Sequence, residues 1–184
     1  MFSTAEIYDR CKDPLPPKVD GIKQFGDMLA GHGITFIFTL APNKAAIYPE
    51  KLGTLLHRAN RCLIQRRVKT QRLMAQRAAA YFVDLWSDFF AAKSIAQRPL
   101  YLSLDTHWTA TGAALASKDV VNRLHPGLWD DGALVVSPPS MVLGNLTYMN
   151  GLAFTEPMQF VRTSRPGVVV VEERAVFAEF RRAC

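Results

Sequence analysis

A chain of 184 residues, 49% hydrophobic and 21% charged, is long enough for one domain and has the balance of a globular rather than a disordered protein. No apolar run approaches the ~20 residues that a membrane-spanning helix needs. Met1 to Asp13, with Glu6, Asp9 and Asp13 and no apolar core, does not read as a secretory leader, which leaves a cytoplasmic protein or one whose leader precedes this sequence. Cys11, Cys62 and Cys184 are odd in number and lack CxxC spacing, so they read as idle or buried thiols rather than a zinc site or a disulfide framework.

In chain order, Pro14-Leu15-Pro16-Pro17 reads as a stiff lead-in that cannot be helical, so residues 1–17 are expected to be extended and 18–184 to form the domain. Val19, Ile22, Phe25, Met28 and Leu29 then recur at helical spacing, and Gly31 and Gly33 mark the helix end. Ile34 to Leu40 is β-branched or aromatic almost throughout, as in a strand buried on both faces of a parallel sheet. It runs into the polar loop Ala41-Pro42-Asn43-Lys44, at the strand end where open α/β sheets bind ligands.

The stretch from Lys51 to Ala80 reads as a helix without a carboxylate, carrying Arg58, Arg61, Arg66, Arg67, Lys69, Arg72 and Arg77. Such a face suits a polyanion, or is a solvated face whose acidic partners lie elsewhere in the fold. Two short strands follow, Tyr81–Leu85 and Leu100–Leu104, and then Thr109 as N-cap of a helix that ends before Pro126. Beyond it, only Val168 to Glu172 reads as a strand. Helices alternating with short apolar strands predict a layered α/β domain.

Asp105-Thr106-His107, placed between a strand and a helix, is the strongest chemical signal. In an extended segment, residues two apart share a side, so the carboxylate can hold imidazole Nδ1 and leave Nε2 to take a proton from a hydroxyl. Trp108 is either a sugar-stacking shield or a core aromatic. His32, His57 and His125 are scattered, so no metal site and no cofactor is expected.

The run Asp105-Thr106-His107-Trp108-Thr109-Ala110-Thr111-Gly112-Ala113 resembles the DTHWT..GA block of the SGNH hydrolase-like domain of alginate O-acetyltransferases, the AlgX and AlgJ type. Ala41 to Glu50 is similar to that family's P-x-K-x-x-I-Y-P segment, and Tyr81–Leu85 and Pro99–Tyr101 match the blocks between. Gly144 to Leu152 is similar, more loosely, to a GDL..M.GL stretch. The resemblance spans Val19 to Leu152 and implies an SGNH-like three-layer fold, a mostly parallel sheet flanked by helices.

It further implies that Asp105 and His107 are the acid and base of a Ser-His-Asp set transferring acetyl groups to exopolysaccharide hydroxyls. Asn43, Lys44, Trp108, Arg66 and Arg67 would meet an anionic polysaccharide. An acetyl donor, with a membrane-bound acyltransferase as one source, and a periplasmic location are implied in the same way. The family's nucleophilic block, G-[DT]-S-[FY], has no counterpart here. Ser137 and Ser140 flank Pro138-Pro139, and Thr147 stands where no serine is offered. The expectation is therefore a domain cut short before its serine, or a polysaccharide-binding or assembly module that lacks it. A nucleic-acid binder ranks last, since no aromatic platform or glycine-rich loop accompanies the arginines.

Overall fold

The computed structural model describes residues 15–52, 54–95 and 98–167. The thiols of Cys11, Cys62 and Cys184, the side chain of Arg58 and the strand expected at Val168–Glu172 lie outside what it describes. Helix α1 runs from Leu15 to Gly31, so the prolines of the lead-in do not hold it off. Pro16 and Pro17 fall in the first turn, where backbone N–H groups lack intrahelical partners and the fixed φ of proline already suits a helix. Gly33 ends the turn at φ 71°, a left-handed conformation open to glycine.

Strand β1 is Phe38–Thr39 and pairs in parallel with β2, Phe82–Val83. The expected Ile34–Leu40 strand is thus much shorter, because only the Phe38–Thr39 pair finds a neighbour and Ile34 is half exposed. Between the two strands lie α2 (Lys44–Ile47), a 3-10 turn at Pro49–Lys51, and α3 (Thr54–Arg77), the basic helix. The polar loop after β1 therefore becomes a helix start: Asn43 caps α2 by accepting the N–H of Ala46 at 2.7 Å. Helix α3 lies against α1 and α2, and Arg77 pairs with Asp20 across the α1–α3 contact at 2.9 Å.

Helix α4 occupies Leu85–Ile95, where sequence reasoning placed the end of a strand and nothing more. Leu100–Leu104 is not a ladder strand. Leu100, Tyr101 and Leu102 are buried, but the pairing of the segment is an antiparallel bridge from Tyr101 to Trp108, which folds the chain back on itself. Helix α5 spans Ala110–Leu124 with Thr109 as N-cap, accepting the N–H of Gly112. Gly112 has to be glycine, because a Cβ there would stand 2.4 Å from the Leu100 carbonyl oxygen.

After α5, β3 (Leu134–Val136) pairs antiparallel with β6 (Val161–Thr163), and β4 (Ser140–Leu143) with β5 (Thr155–Met158). Helix α6, Asn145–Tyr148, links β4 to β5. The fold is a mixed α/β one of small sheets. Among the described residues one pair of strands, β1 with β2, is parallel and two pairs are antiparallel. The main core gathers Ile47, Leu85, Trp86, Phe89, Leu100 and Tyr101, so α2, α4 and the folded-back segment close on one another.

Candidate active site

Leu102 donates its N–H to the His107 carbonyl at 3.2 Å, and Thr109 to that of Leu100 at 2.9 Å. These bonds make residues 103–107 the tip of a narrow loop. At that tip Asp105 Oδ1 accepts the backbone N–H of His107 at 2.9 Å and lies 2.5 Å from its Nδ1. The first of these bonds is an Asx turn, in which a carboxylate bonds the backbone two residues on. The spacing of the pair therefore works through a bend rather than through extended backbone. Asp105 Oδ2 accepts the N–H of Asn145 at 2.8 Å.

Burial pushes the Asp105 carboxyl upward. The N–H donors of Asn145 and His107 and the imidazole outweigh it, and the pKa settles below the usual aspartate value. A carboxylate accepts only, so Nδ1 carries the hydrogen and Nε2 of the neutral ring is the basic atom. Asp105 is buried, whereas the His107 side chain is 76% exposed, which presents that base to solvent. No hydroxyl of the described residues is hydrogen-bonded to the imidazole.

Three remote side chains hold the loop. Lys44, buried at the start of α2, donates to the carbonyls of Ser103 and Asp105 at 2.9 and 3.0 Å. Glu156, buried on β5, accepts the N–H groups of Ser103 and Leu104 at 2.6 and 2.7 Å. Asn145 accepts from Thr106 N–H at 3.0 Å and donates to its hydroxyl at 2.8 Å. Gly144 permits this approach, since a Cβ would come within 2.1 Å of the Leu104 carbonyl oxygen.

Sequence reasoning missed Glu156 and Asn145 as loop supports. One signal existed: Glu156 is the lone acidic residue between Asp131 and Glu172, set in an apolar and basic stretch. A carboxylate in such a setting is retained when it satisfies buried donors.

The other expected site residues divide into groups. Trp108 packs its ring 5.2 Å from that of Phe89 and also faces a cavity of about 340 Å³ that Trp129 and Phe160 share. Asn43, Arg66 and Arg67 line a separate cavity of about 430 Å³ between α1, α3 and β1. Lys44 belongs to the loop support. Thr147 is fully buried, and its hydroxyl donates to the carbonyls of Gly144 and Phe154. Ser137 donates to the Pro138 carbonyl and accepts from the Phe160 N–H, while Ser140 lies on β4. Among the described residues no group of three or more His, Cys, Asp or Glu is placed to hold a metal ion, and no helix is long and apolar enough to cross a membrane.

Residues 1–134 match the family model of the SGNH hydrolase-like domain of the acetyltransferase AlgX. A curated relative, the probable alginate O-acetylase AlgJ of Pseudomonas fluorescens, is 28% identical over 110 residues, covering 58% of this chain and 25% of that protein. Among solved structures, the O-acetyltransferase domain of Pseudomonas putida AlgJ superposes with a TM-score of 0.53 at 24% identity, over 89% of this chain and 60% of that one. Bacillus cereus PatB1 follows with a TM-score of 0.51 at 13% identity, over 82% and 52%. At these identities the structural likenesses speak to the fold. The chain spans about a quarter of the length of the curated relative.

Proposed function

Because the chain belongs to the family of SGNH hydrolase-like acetyltransferase domains of the AlgX type, we propose that it carries the Asp-His half of a Ser-His-Asp machine for acetyl transfer to an alginate-like polysaccharide. The observation that supports this most is the buried Asp105 carboxylate bonded to Nδ1 of an exposed imidazole. Nε2 of His107 takes the proton of a serine hydroxyl as its oxygen attacks the acetyl carbonyl of the donor. Asp105 stabilises the imidazolium, which gives that proton to the departing donor group. A sugar hydroxyl then attacks the acetyl-serine ester, losing its proton to Nε2 and receiving the acetyl group, and the serine oxygen recovers a proton from His107.

In this reading Lys44, Glu156 and Asn145 keep the loop in register. Trp108 and the arginines of α3 meet the polymer, whose carboxylates suit a face with such an excess of positive charge. The acetyl donor is an acyl group delivered at the periplasmic side of the membrane, where a membrane-bound acyltransferase can hand it over. A serine within the described residues is not bonded to His107. That observation favours a second reading, a polysaccharide-binding or assembly module without its nucleophile.

Hydrolysis of a chromogenic acetyl ester by the purified chain, with His107→Ala as control, separates the two. His107-dependent turnover is the outcome expected of an acyltransferase with a nucleophile in this chain. No turnover, joined to salt-sensitive binding of polymannuronate, supports the module. A folded chain with neither property would overturn both.

A further inference from the structure

Helix α3 has an inner and an outer face of different chemistry. On the inner face Thr70 and Met74 are buried, Met74 packs with Val19 of α1, and Arg67 lies over the Phe90 ring. At the helical repeat, Arg61, Gln65, Lys69, Arg72 and Gln76 fall on the side opposite Met74, and all five are exposed. Among the described residues, Arg61, Lys69 and Arg72 form no hydrogen bond and no ion pair.

The charge of this outer row is uncompensated. None of the 24 residues of α3 is a carboxylate, so the acid-base pairs one turn apart that balance a solvated helix face do not form. Lys69 and Arg72 are like charges three residues apart, which works against the helix rather than for it. At a rise of about 1.5 Å for each residue, the cations extend over about 16 Å from Arg61 to Arg72. The amide of Gln65 lies between them and that of Gln76 one turn beyond.

We propose that this row is a tract for an extended anionic polysaccharide and that it makes the protein selective for chain length. The inference rests on the reading of an alginate-like polymer as acceptor, and adds the place where the polymer lies away from the reacting hydroxyl. Carboxylates along the polymer meet Arg61, Lys69 and Arg72, and the glutamine amides meet hydroxyls between them. A short oligomer cannot touch Arg61 and Arg72 together, whereas in a long chain each contact raises the effective concentration of the next. Two other polyanions fit the row less well. Helix α3 has no Phe, Tyr or Trp, so it offers neither the bulky apolar side chains that seat a helix in a lipid surface nor rings on which bases stack.

The test is calorimetric titration of the whole chain with polymannuronate, dimannuronate, single-stranded DNA and phosphatidylglycerol vesicles at one salt concentration. Polymannuronate is expected to bind, with dimannuronate weaker by at least about tenfold per sugar unit. Arg61→Gln, Lys69→Gln and Arg72→Gln together should weaken polymannuronate on the order of tenfold, with circular dichroism unchanged because glutamine is a good helix former. Lys23→Gln, Lys118→Gln and Arg123→Gln remove the same charge from other elements and should leave the affinity within about twofold. Equal weakening by the two triple variants would overturn the proposal, because net charge alone would then explain binding. Dimannuronate, DNA or vesicles bound as tightly as the polymer would also overturn it, as would absence of polymannuronate binding. Hydrolysis of the small acetyl ester does not involve the tract, so His107-dependent turnover would leave the acyl-transfer reading standing in each of those cases.

Discussion

At the scale of single residues, the Asp105–His107 pair is an acid-base unit whose polarity is set by burial on one side and exposure on the other. Asp105→Asn replaces an acceptor with a group that can also donate, so the imidazole loses its defined tautomer. If the chain turns over an acetyl ester, that substitution should lower kcat by about 10⁴-fold with little change in KM, as measured by steady-state kinetics. Because the folded pKa of Asp105 is below its unfolded value, its contribution to stability is present above the unfolded carboxyl pKa and is lost as pH falls through the folded one. Asp119 on α5 has the opposite sign. Burial, the nearby Asp88 carboxylate and a bond to it raise its pKa to about 6, and its Oδ2 is buried without a partner among the described residues. Its ionisation therefore opposes folding above that pH, and stability is regained as pH falls from about 7 towards 4. Asp119→Asn should raise stability at pH 8 by on the order of 1 kcal/mol after allowance for solvent screening, and by less at pH 4.5, as read from urea denaturation. The Asp-His spacing was legible in the sequence as a chemical motif. Its geometry was not, because an Asx turn and an extended segment place the same two side chains together by different routes.

At the scale of elements, the loop 103–107 has little regular structure of its own and is held by α2, α6 and β5. Glu156→Gln leaves one acceptor but turns an amide donor towards a backbone N–H, so it should destabilise the chain by about 1–3 kcal/mol in urea titration. It should also broaden or shift the downfield Nδ1 proton resonance of His107, a signal that a purely global loss of stability would leave in place for the folded fraction. Gly144→Ala should do the same by pushing α6 away from Leu104. Helix α1 was legible from its three- and four-residue apolar spacing, α5 from its N-cap and proline stop, and α3 from a long run of helix-forming residues. Strand β1 came out far shorter than its composition suggests, since β-branched residues form a ladder only where a neighbour supplies hydrogen bonds. Strands β3 to β6 escaped notice because each is three or four residues long, too short for alternation to register, and because β4 and β5 pair across α6 while β3 and β6 pair across that whole hairpin.

At the scale of the whole molecule, large apolar side chains are exposed along the segment that carries α6 and β4 to β6. Met141 is 63% exposed, Tyr148 and Met149 70% each and Phe154 60%. Large apolar side chains left exposed in this way promote association. The chain is expected to self-associate at micromolar concentration in analytical ultracentrifugation, and Met149→Lys with Phe154→Lys should shift it towards monomer without loss of helical signal. By itself the sequence determined helices α1, α3 and α5, the Asp105-Thr106-His107 unit, the cationic character of α3 and the family, because each is written in neighbouring residues or in spacing along one element. Only the tertiary structure decided that Lys44 serves the loop rather than the open strand end, that Glu156 and Asn145 complete its support, that Thr147 is walled in, and that Arg66 and Arg67 share a cavity with Val19 and Met74. Those outcomes depend on which distant backbone donors and acceptors, 39 to 61 residues away along the chain for the loop supports, need a partner once water has been excluded. No local pattern encodes that need, because it arises only when the elements have packed.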